Sequence, residues 1–263
     1  MKQVTISATF MGGLLYPRAV LVAWLVVLVV FLGALTRVTF GFGEAVVAMP
    51  LLALLPIGLH TAASLMGLVG LILAATSMVG GFRDVDRGVL VRLLAGTAVG
   101  VPVGLVLVLL VPEQVVSVLL GLFLVVYGAY GLSPHGFTGR VGQRWAPPVG
   151  VVAGGLGSAY SFHGIPVAVY GTLRGWSPEV FRGTLQAFFL VSGVLVVTGQ
   201  ALGGLWSQEL LVLVGVSLPA IAVAMLIGRA LHGQMPAHRF QRYVHLLVVV
   251  LGFLLVGKVV LQS

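Results

Sequence analysis

The sequence contains no cysteine and few charged residues, and both absences narrow what the protein can be. Without cysteine, disulfides, thiolate metal sites and cysteine nucleophiles are excluded. Charged residues make up 8% of the chain, whereas a soluble domain carries about 25% to keep its surface solvated. Hydrophobic residues make up 59%, so the chain is predicted to be an all-α polytopic membrane protein with lipid as its solvent.

Motifs for other functions are also missing. The net charge of +8 comes from basic residues in short loops between apolar runs, which is typical of membrane topology signals and not of a nucleic-acid surface. We find no nucleophile–base–acid set, no HExxH and no phosphate-binding loop. The sequence therefore predicts neither an enzyme nor a nucleic-acid binder, and it predicts no cofactor or metal site.

Apolar runs of spanning length follow one another along the chain. A membrane-spanning helix needs about 20 apolar residues. Runs without Asp, Glu, Lys or Arg occupy Ala19–Thr36, Ala45–Phe82, Leu93–Pro112, Val115–Pro134, Trp145–Leu173, Gly183–Gln208 and Leu210–Gly228, and a further run begins at His245. Two of these runs are too long for one span and are interrupted, the first at Pro56–Thr61 and the second at Ser158–Gly164.

The positions of the arginines orient the chain. Arginines cluster in the turns at Arg83–Arg92, Arg140–Arg144, Arg174–Arg182 and Arg229–Arg242, whereas the turns at Glu113 and Glu209 carry no base. By the positive-inside rule the basic turns lie in the cytoplasm of a plasma or inner membrane protein. The segment between Arg144 and Arg174 then enters the membrane and returns, with a tilted helix followed by a surface segment as the alternative.

The two halves of the chain resemble each other. One shift aligns Gly43 with Gly164, and a slightly larger one aligns Gly128 with Gly252. We therefore predict an N-terminal tail (1–18), a first repeat (19–134), a cytoplasmic linker (135–146) and a second repeat (147–263). Each repeat is a broken or re-entrant segment plus three transmembrane helices, about seven to eight spans in total. The charge pattern reverses between the halves, which favours inverted repeats, the architecture of secondary transporters.

Two glycine-containing breaks, Thr39–Glu44 and Ser158–Gly164, are where a substrate site is expected. The first contains Gly41, Phe42, Gly43 and Glu44, and the second contains Ser161, His163 and Gly164. If they meet at mid-membrane, the free backbone N–H groups and the positive dipole ends of the following helices favour an anion. The alternative is that the glycines serve only helix packing.

Several polar side chains near the breaks are candidates for binding, coupling or gating. Glu44 and His163 are the candidates for carrying a coupled proton. Alternatively, Glu44 is a membrane-edge carboxylate paired with Arg37, and His163 is a packing group. Further candidates are Ser64, Thr184 and Gln186 for substrate binding, and Arg37 and Arg182 as gates, with helix contacts or membrane anchoring as the alternatives.

The chain resembles the sulfite exporter TauE/SafE family of membrane permeases. The resemblance rests on the two glycine-rich breaks, each followed by a short proline-containing apolar helix, and is clearest over Gly164–Phe189 with its Arg-Gly turn and Phe-Arg-Gly-Thr-Leu run. It implies export or exchange of sulfite, organosulfonates or related small organic anions, driven by a proton or ion gradient. Here Glu44, Ser161 and His163 stand where the family has further glycines.

Three functions remain open at this point. The leading hypothesis is a secondary transporter of a small anion such as sulfite, an organosulfonate or a carboxylate. The expected direction of transport is export. The alternatives are a passive anion channel and a non-transporting membrane assembly subunit. The partners expected are the anion and membrane lipids, with a homodimer as a further option.

Overall fold

The fold is built from α-helices that follow the apolar runs. The computed structural model describes residues 17–77, 84–132, 141–231 and 237–262. In these residues there are ten α-helices, one 3-10 turn at Gln143–Trp145 and no β-strand. The helices are α1 (Pro17–Phe40), α2 (Glu44–Leu54), α3 (Leu59–Ser77), α4 (Arg87–Leu110), α5 (Glu113–Leu132), α6 (Ala146–Tyr160), α7 (Gly164–Arg174), α8 (Pro178–Leu202), α9 (Gln208–Leu231) and α10 (Ala237–Gln262).

The lengths and surfaces of these helices are those of a membrane protein. Within the described ranges six helices are long and apolar enough to cross a bilayer, namely α1, α3, α4, α5, α8 and α9, and α10 adds the apolar stretch Val244–Val259. Large apolar side chains such as Leu110, Leu202 and Leu226 are exposed on the outside of the helices, which suits a lipid solvent. The prediction of an all-helical polytopic membrane protein is confirmed.

Both predicted glycine-containing breaks lie between helices. The first lies between α1 and α2, where Gly41 and Gly43 have φ angles of 89° and 99°. Residues that carry a side chain rarely adopt this left-handed backbone conformation, so glycine is needed at these positions. The second lies between α6 and α7, where Ser161 has a φ of 60° and ends α6. Each break is followed by a helix of 11 residues, as the sequence predicts.

Helices α6 and α7 form a hairpin whose ends lie side by side. The backbone N–H of Val141, ahead of α6, donates to the carbonyl of Leu173 at the end of α7 (3.3 Å). The hydroxyl of Tyr170 on α7 donates to the carbonyl of Gly142 (3.3 Å). At 15 and 11 residues, both helices are shorter than a span. The chain therefore returns at the end of α7 to the level at which it entered α6.

The long helices pack in pairs that join the two halves of the chain. Helix α4 packs along α6, α1 along α9, α5 along α10, and α3 along α8. The α4–α6 contact is close because glycines face each other: a Cβ on Gly100 would lie 2.8 Å from the carbonyl carbon of Val151, and one on Gly154 would lie 2.9 Å from the nitrogen of Val101. Small residues of this kind let membrane helices approach at backbone distance.

Side chains from other helices cap α2 and α3. The ammonium of Lys258 on α10 donates to the carbonyls of Ala53 and Leu54, at the C-terminal end of α2 (3.1 and 3.4 Å). The carboxylate of Glu113 accepts from the backbone N–H of Leu59, which begins α3 (2.6 Å). Each charge complements the dipole end that it contacts, so these caps fix both ends of the Leu55–Gly58 connection.

The predicted domain boundaries lie partly outside the described residues. This is the case for the predicted tail up to residue 16 and for residues 135–140, the first half of the predicted linker 135–146. The last residue of that linker, Ala146, begins α6.

Candidate functional site

The two breaks meet at one small cavity. Its lining from the first break comprises Phe42, Gly43 and Glu44, and its lining from the second comprises Ser161, Phe162 and Gly164. Ile165 of α7 and Phe189 of α8 also line it. The cavity measures about 20 Å³, which leaves room for roughly one water molecule. Helices α2 and α7 both begin at its wall, so their N-terminal dipole ends share one space.

A buried ion pair lies against this cavity. The guanidinium of Arg37, at the end of α1, donates through Nη1 to Oε1 of Glu44, the first residue of α2. Arg37 is 2% exposed and Glu44 is 4% exposed. The alternative in which Glu44 pairs with Arg37 is therefore right about the partner, but both side chains are buried among the helices. Breaking such a pair on one side costs about 3–5 kcal/mol, because the other charge is left uncompensated.

Arg37 has further donors that the protein does not satisfy. Its Nε and Nη2 have no hydrogen-bond partner among the described residues. The guanidinium carbon lies 4.2 Å from the centre of the Phe189 ring, a cation–π contact that compensates part of the lost hydration. An unsatisfied buried donor costs roughly 1–3 kcal/mol, and more when it is charged, so these nitrogens are able to donate to a ligand with oxygen atoms.

The second break adds polar groups to the same site. His163 is 3% exposed, its Nδ1 has no partner within the described part of the chain, and its ring lies edge-on to Phe189 at 5.2 Å. The hydroxyl of Ser161 donates to the carbonyl of Ala63 on α3 (2.8 Å). Ser161 therefore fixes the second break to the core, whereas His163 keeps a free ring nitrogen near Arg37 and Glu44.

A larger cavity leads to the breaks from one side. It measures about 360 Å³ and shares Phe42, Gly43, Val46 and Ile165 with the small cavity. We call it the vestibule. Its outer wall is formed by residues near helix ends, namely Tyr130, Gly131, Thr172, Phe181, Val244 and His245. A sulfonate or a short carboxylate fits this volume, and the aromatic lining suits an organic substituent.

A third cavity lies at the other ends of the helices. It measures about 120 Å³ and is lined by the connection from Pro56 to Thr61 together with Glu113 and Glu209. We call it the acidic cavity. No described residue lines both this cavity and either of the other two. The small cavity at the breaks therefore borders the vestibule, with which it shares lining residues.

Four predicted residues do not line the two cavities at the breaks. Ser64, Thr184, Gln186 and Arg182 are not among the described residues that line the small cavity or the vestibule. The hydroxyl of Thr184 instead accepts from the backbone N–H of Asp86 (3.0 Å), which joins α8 to the start of α4. Ser64 is fully buried in α3, and Arg182 is exposed on α8. Gly41 lies in the first break, as predicted.

The structure also shows two residues that sequence reasoning missed. Phe189 contacts Arg37 and His163 and lines the small cavity. Gln200 is fully buried on α8, donates to the carbonyl of Ser158 (3.1 Å) and has an unpartnered Oε1 within the described part of the chain. An amide in an apolar run was the available signal for Gln200. Nothing in the sequence separates Phe189 from the other core aromatics.

The described residues include no group of three or more His, Asp or Glu that could hold a metal ion. The polar groups described above at the breaks are the guanidinium of Arg37, the carboxylate of Glu44, the imidazole of His163 and the hydroxyl of Ser161.

Together, the broken helices, the lipid-exposed surface and the internal polar site define a polytopic membrane transporter. The family described as "Sulfite exporter TauE/SafE" matches residues 25–255, and the chain belongs to this family. The resemblance drawn from the sequence is thus confirmed, and so is the prediction of a transporter rather than an enzyme. No curated protein and no solved structure matches the chain.

Proposed function

We propose that the protein is a secondary transporter that exports a small anion such as sulfite, an organosulfonate or a related carboxylate. The anion binds where the two helix breaks meet. The observation that carries this proposal is that α2 and α7 both begin at one cavity beside a buried arginine. Two helix N-termini and a guanidinium together form an anion site. These groups are already buried where the breaks meet, so none of them has to move out of the core for an anion to bind.

The helix packing supports two inverted repeats as the architecture. In sequence order α1 corresponds to α6, α4 to α9, α3 to α8, and α5 to α10. A two-fold axis relating the halves maps the α4–α6 pair onto α9–α1, and it maps the pairs α3–α8 and α5–α10 onto themselves. All of these pairs occur. Under this proposal the α6–α7 hairpin is re-entrant and the breaks lie near the bilayer midplane.

The vestibule then faces the cytoplasm of a plasma or inner membrane protein. Its outer wall lies at the ends of α5 and α7 and the starts of α8 and α10. The same turns carry the arginines that the positive-inside rule assigns to the cytoplasm. The acidic cavity lies at the turns without base, on the outer side. An exporter in this state is open to the compartment from which it takes its substrate.

Coupling to a proton gradient is supported by the two titratable groups at the breaks. Glu44 lines the small cavity, and His163 precedes the first residue of α7. Both are buried, so a change in protonation would be felt directly by an anion bound between them.

Flux measurements in proteoliposomes test the proposed function. Purified protein is reconstituted and tested with sulfite, thiosulfate, methanesulfonate and a short carboxylate, with protein-free vesicles as the control. We expect saturable flux of at least one of these anions. Flux that does not respond to a pH or ion gradient would point to a passive channel. If none of the anions moves and a second protein co-purifies, the chain is an assembly subunit and the proposal fails.

A further inference from the structure

The three nitrogens of the Arg37 guanidinium have different environments. Nη1 donates to Glu44, whereas Nε and Nη2 have no partner among the described residues. In a planar guanidinium Nε and Nη2 form one edge, with two parallel N–H bonds. That edge matches the spacing of two oxygens in a carboxylate, a sulfonate or sulfite. The arginine thus presents a two-donor edge that suits an oxyanion, while its other end holds a carboxylate of the protein.

We propose that the transported anion binds with two oxygens to the Nε–Nη2 edge of Arg37, and that one proton binds to the site with it. This inference rests on the proposed function and assigns its charge chemistry. Arg37 is then a substrate-binding residue and not a gate. The anion approaches it from the vestibule through the small cavity, which at about 20 Å³ has to widen to admit it. Glu44 and Phe189 both line that cavity and both contact the guanidinium.

The proton follows from the balance of charge at the site. Arg37 and Glu44 together are neutral, so an added monoanion leaves one uncompensated negative charge in a buried, apolar surrounding. A proton taken up from solution by the Glu44 carboxylate restores neutrality. The neutral carboxyl group still accepts from Nη1 through its carbonyl oxygen. The anion and the proton leave together, and no other bond is formed or broken.

Among the neighbouring residues, His163 is the second group that can take up this proton. It interacts electrostatically with both Glu44 and Arg37. Helix α3 faces Glu44 with Gly70, whose Cβ would lie 3.2 Å from Oε1, and α8 contributes Phe189. The ammonium of Lys258 on α10 lies at the opposite end of α2. Arg37, Glu44 and His163 are therefore the charged or titratable groups that decide the protonation of the site.

The proposal predicts that one proton moves with each monoanion. Methanesulfonate is the probe, because it stays a monoanion at every working pH and any proton that moves must be carried by the protein. Sulfite is the second probe. In proteoliposomes with an internal pH dye, an inward methanesulfonate gradient should acidify the lumen by one proton per anion. Clamping the membrane potential with potassium and valinomycin should leave the rate unchanged.

Substitutions at Arg37 and at Glu44 test the roles of the two charges one at a time. In Glu44→Gln the charge of Arg37 alone balances a monoanion, so no proton is needed at either Glu44 or His163. Flux should therefore persist without proton movement, lose its pH dependence and respond to membrane potential. Arg37→Lys keeps the charge but loses the two-pronged edge, and the apparent affinity should fall about 10- to 100-fold. Arg37→Gln should abolish saturable flux. Glu179→Gln and Arg87→Lys, both at exposed positions, are matched controls and should behave as the wild type.

The outcomes distinguish this inference from the proposed function. Wild-type flux of methanesulfonate or sulfite without any proton movement overturns the inference and leaves the transporter intact. Unchanged affinity in Arg37→Lys and Arg37→Gln overturns it as well. Absence of flux for every anion removes both proposals. If a variant does not fold, as judged by size-exclusion chromatography, the proton count of the wild type still decides.

Discussion

At the scale of single residues, the Arg37–Glu44 pair is held in place by its burial as much as by its charges. Both side chains are nearly inaccessible, so neither can be solvated if the other is removed. Experiments on buried ion pairs show that removing one partner costs about 3–5 kcal/mol, whereas replacing both with apolar residues is often neutral. The pair is therefore a poor source of stability, and a role in function accounts better for its presence.

This reasoning predicts a strong coupling between two substitutions. Glu44→Leu should destabilise the protein by about 3–5 kcal/mol, because Arg37 is left as a buried charge. The double variant Arg37→Met with Glu44→Leu should recover most of that loss while losing transport. Unfolding curves in detergent for the wild type, the two single variants and the double variant give the coupling free energy. Additive losses would show that the two charges do not depend on each other.

A single functional residue can be predicted from the sequence where the chemistry of its side chain is itself informative. An acid within apolar sequence is costly, and this cost makes Glu44 recognisable from the sequence alone. The positions of Thr184 and Gln186 are not predictable in the same way. Which face of a helix meets the breaks depends on how α8 is rotated against its neighbours, and an apolar helix in lipid has no polar face to reveal that rotation.

At the scale of the helices, the backbone contact between α4 and α6 sets the position of the second break. Because Gly100 and Gly154 have no side chains, the two helices touch through backbone atoms over several turns. The hydroxyl of Ser158 adds a bond to the carbonyl of Val101 on α4 (3.0 Å). Helices α4 and α6 are thus held together as one unit. This contact fixes the position of the break that follows α6.

A single methyl group should test this contact. Gly100→Ala places a Cβ where backbone atoms of Val151 already lie, and overpacking of this kind costs typically 1–3 kcal/mol. Gly215→Ala in α9 is the matched control, because no atom of the described residues lies within 4 Å of its Cβ position. The control should be neutral or stabilising by up to about 1 kcal/mol. Thermal unfolding in detergent measures both, and equal effects would contradict the backbone contact.

The cap on α2 gives a second prediction at this scale. Lys258→Met removes the donor from the carbonyls of Ala53 and Leu54. A cation at a helix C-terminus contributes about 0.3–1 kcal/mol, and up to about 2 kcal/mol when partly buried. We expect a loss in this range and faster hydrogen exchange in α2. Lys258→Arg should retain most of the stability, and unchanged exchange in the Met variant would mean that the cap is dispensable.

At the scale of the whole molecule, the sequence indicates the helices and the breaks but not their partners. Apolar runs and glycine-rich interruptions predict local structure, because bilayer thickness and backbone conformation act locally. The pairing of α1 with α9, or of α4 with α6, depends on contacts between residues far apart in the chain. Those contacts are made by Gly, Ala and Val, which are common everywhere in this sequence and therefore carry no pairing signal.

The lack of cysteine makes the sidedness of the molecule measurable. Thr172 lines the vestibule and Thr61 lines the acidic cavity, so Thr172→Cys and Thr61→Cys each place one thiol in one of the two cavities. If the vestibule faces the cytoplasm, a membrane-impermeant maleimide should label Thr61→Cys in intact cells and Thr172→Cys only in inside-out vesicles. The wild-type chain, which has no cysteine, is the blank. The reverse labelling pattern would invert the proposed orientation.

The pairing of helices across the halves has a consequence for how the protein is made. The ammonium that caps the last carbonyls of α2 belongs to a residue 205 positions later. Helix α1 likewise acquires its partner α9 only after seven further helices have been made. Phe189, which lies over the guanidinium of Arg37, also comes from the second half. A chain that ends after α5 therefore lacks all three contacts, and we expect it to be degraded faster in the membrane than the complete sequence.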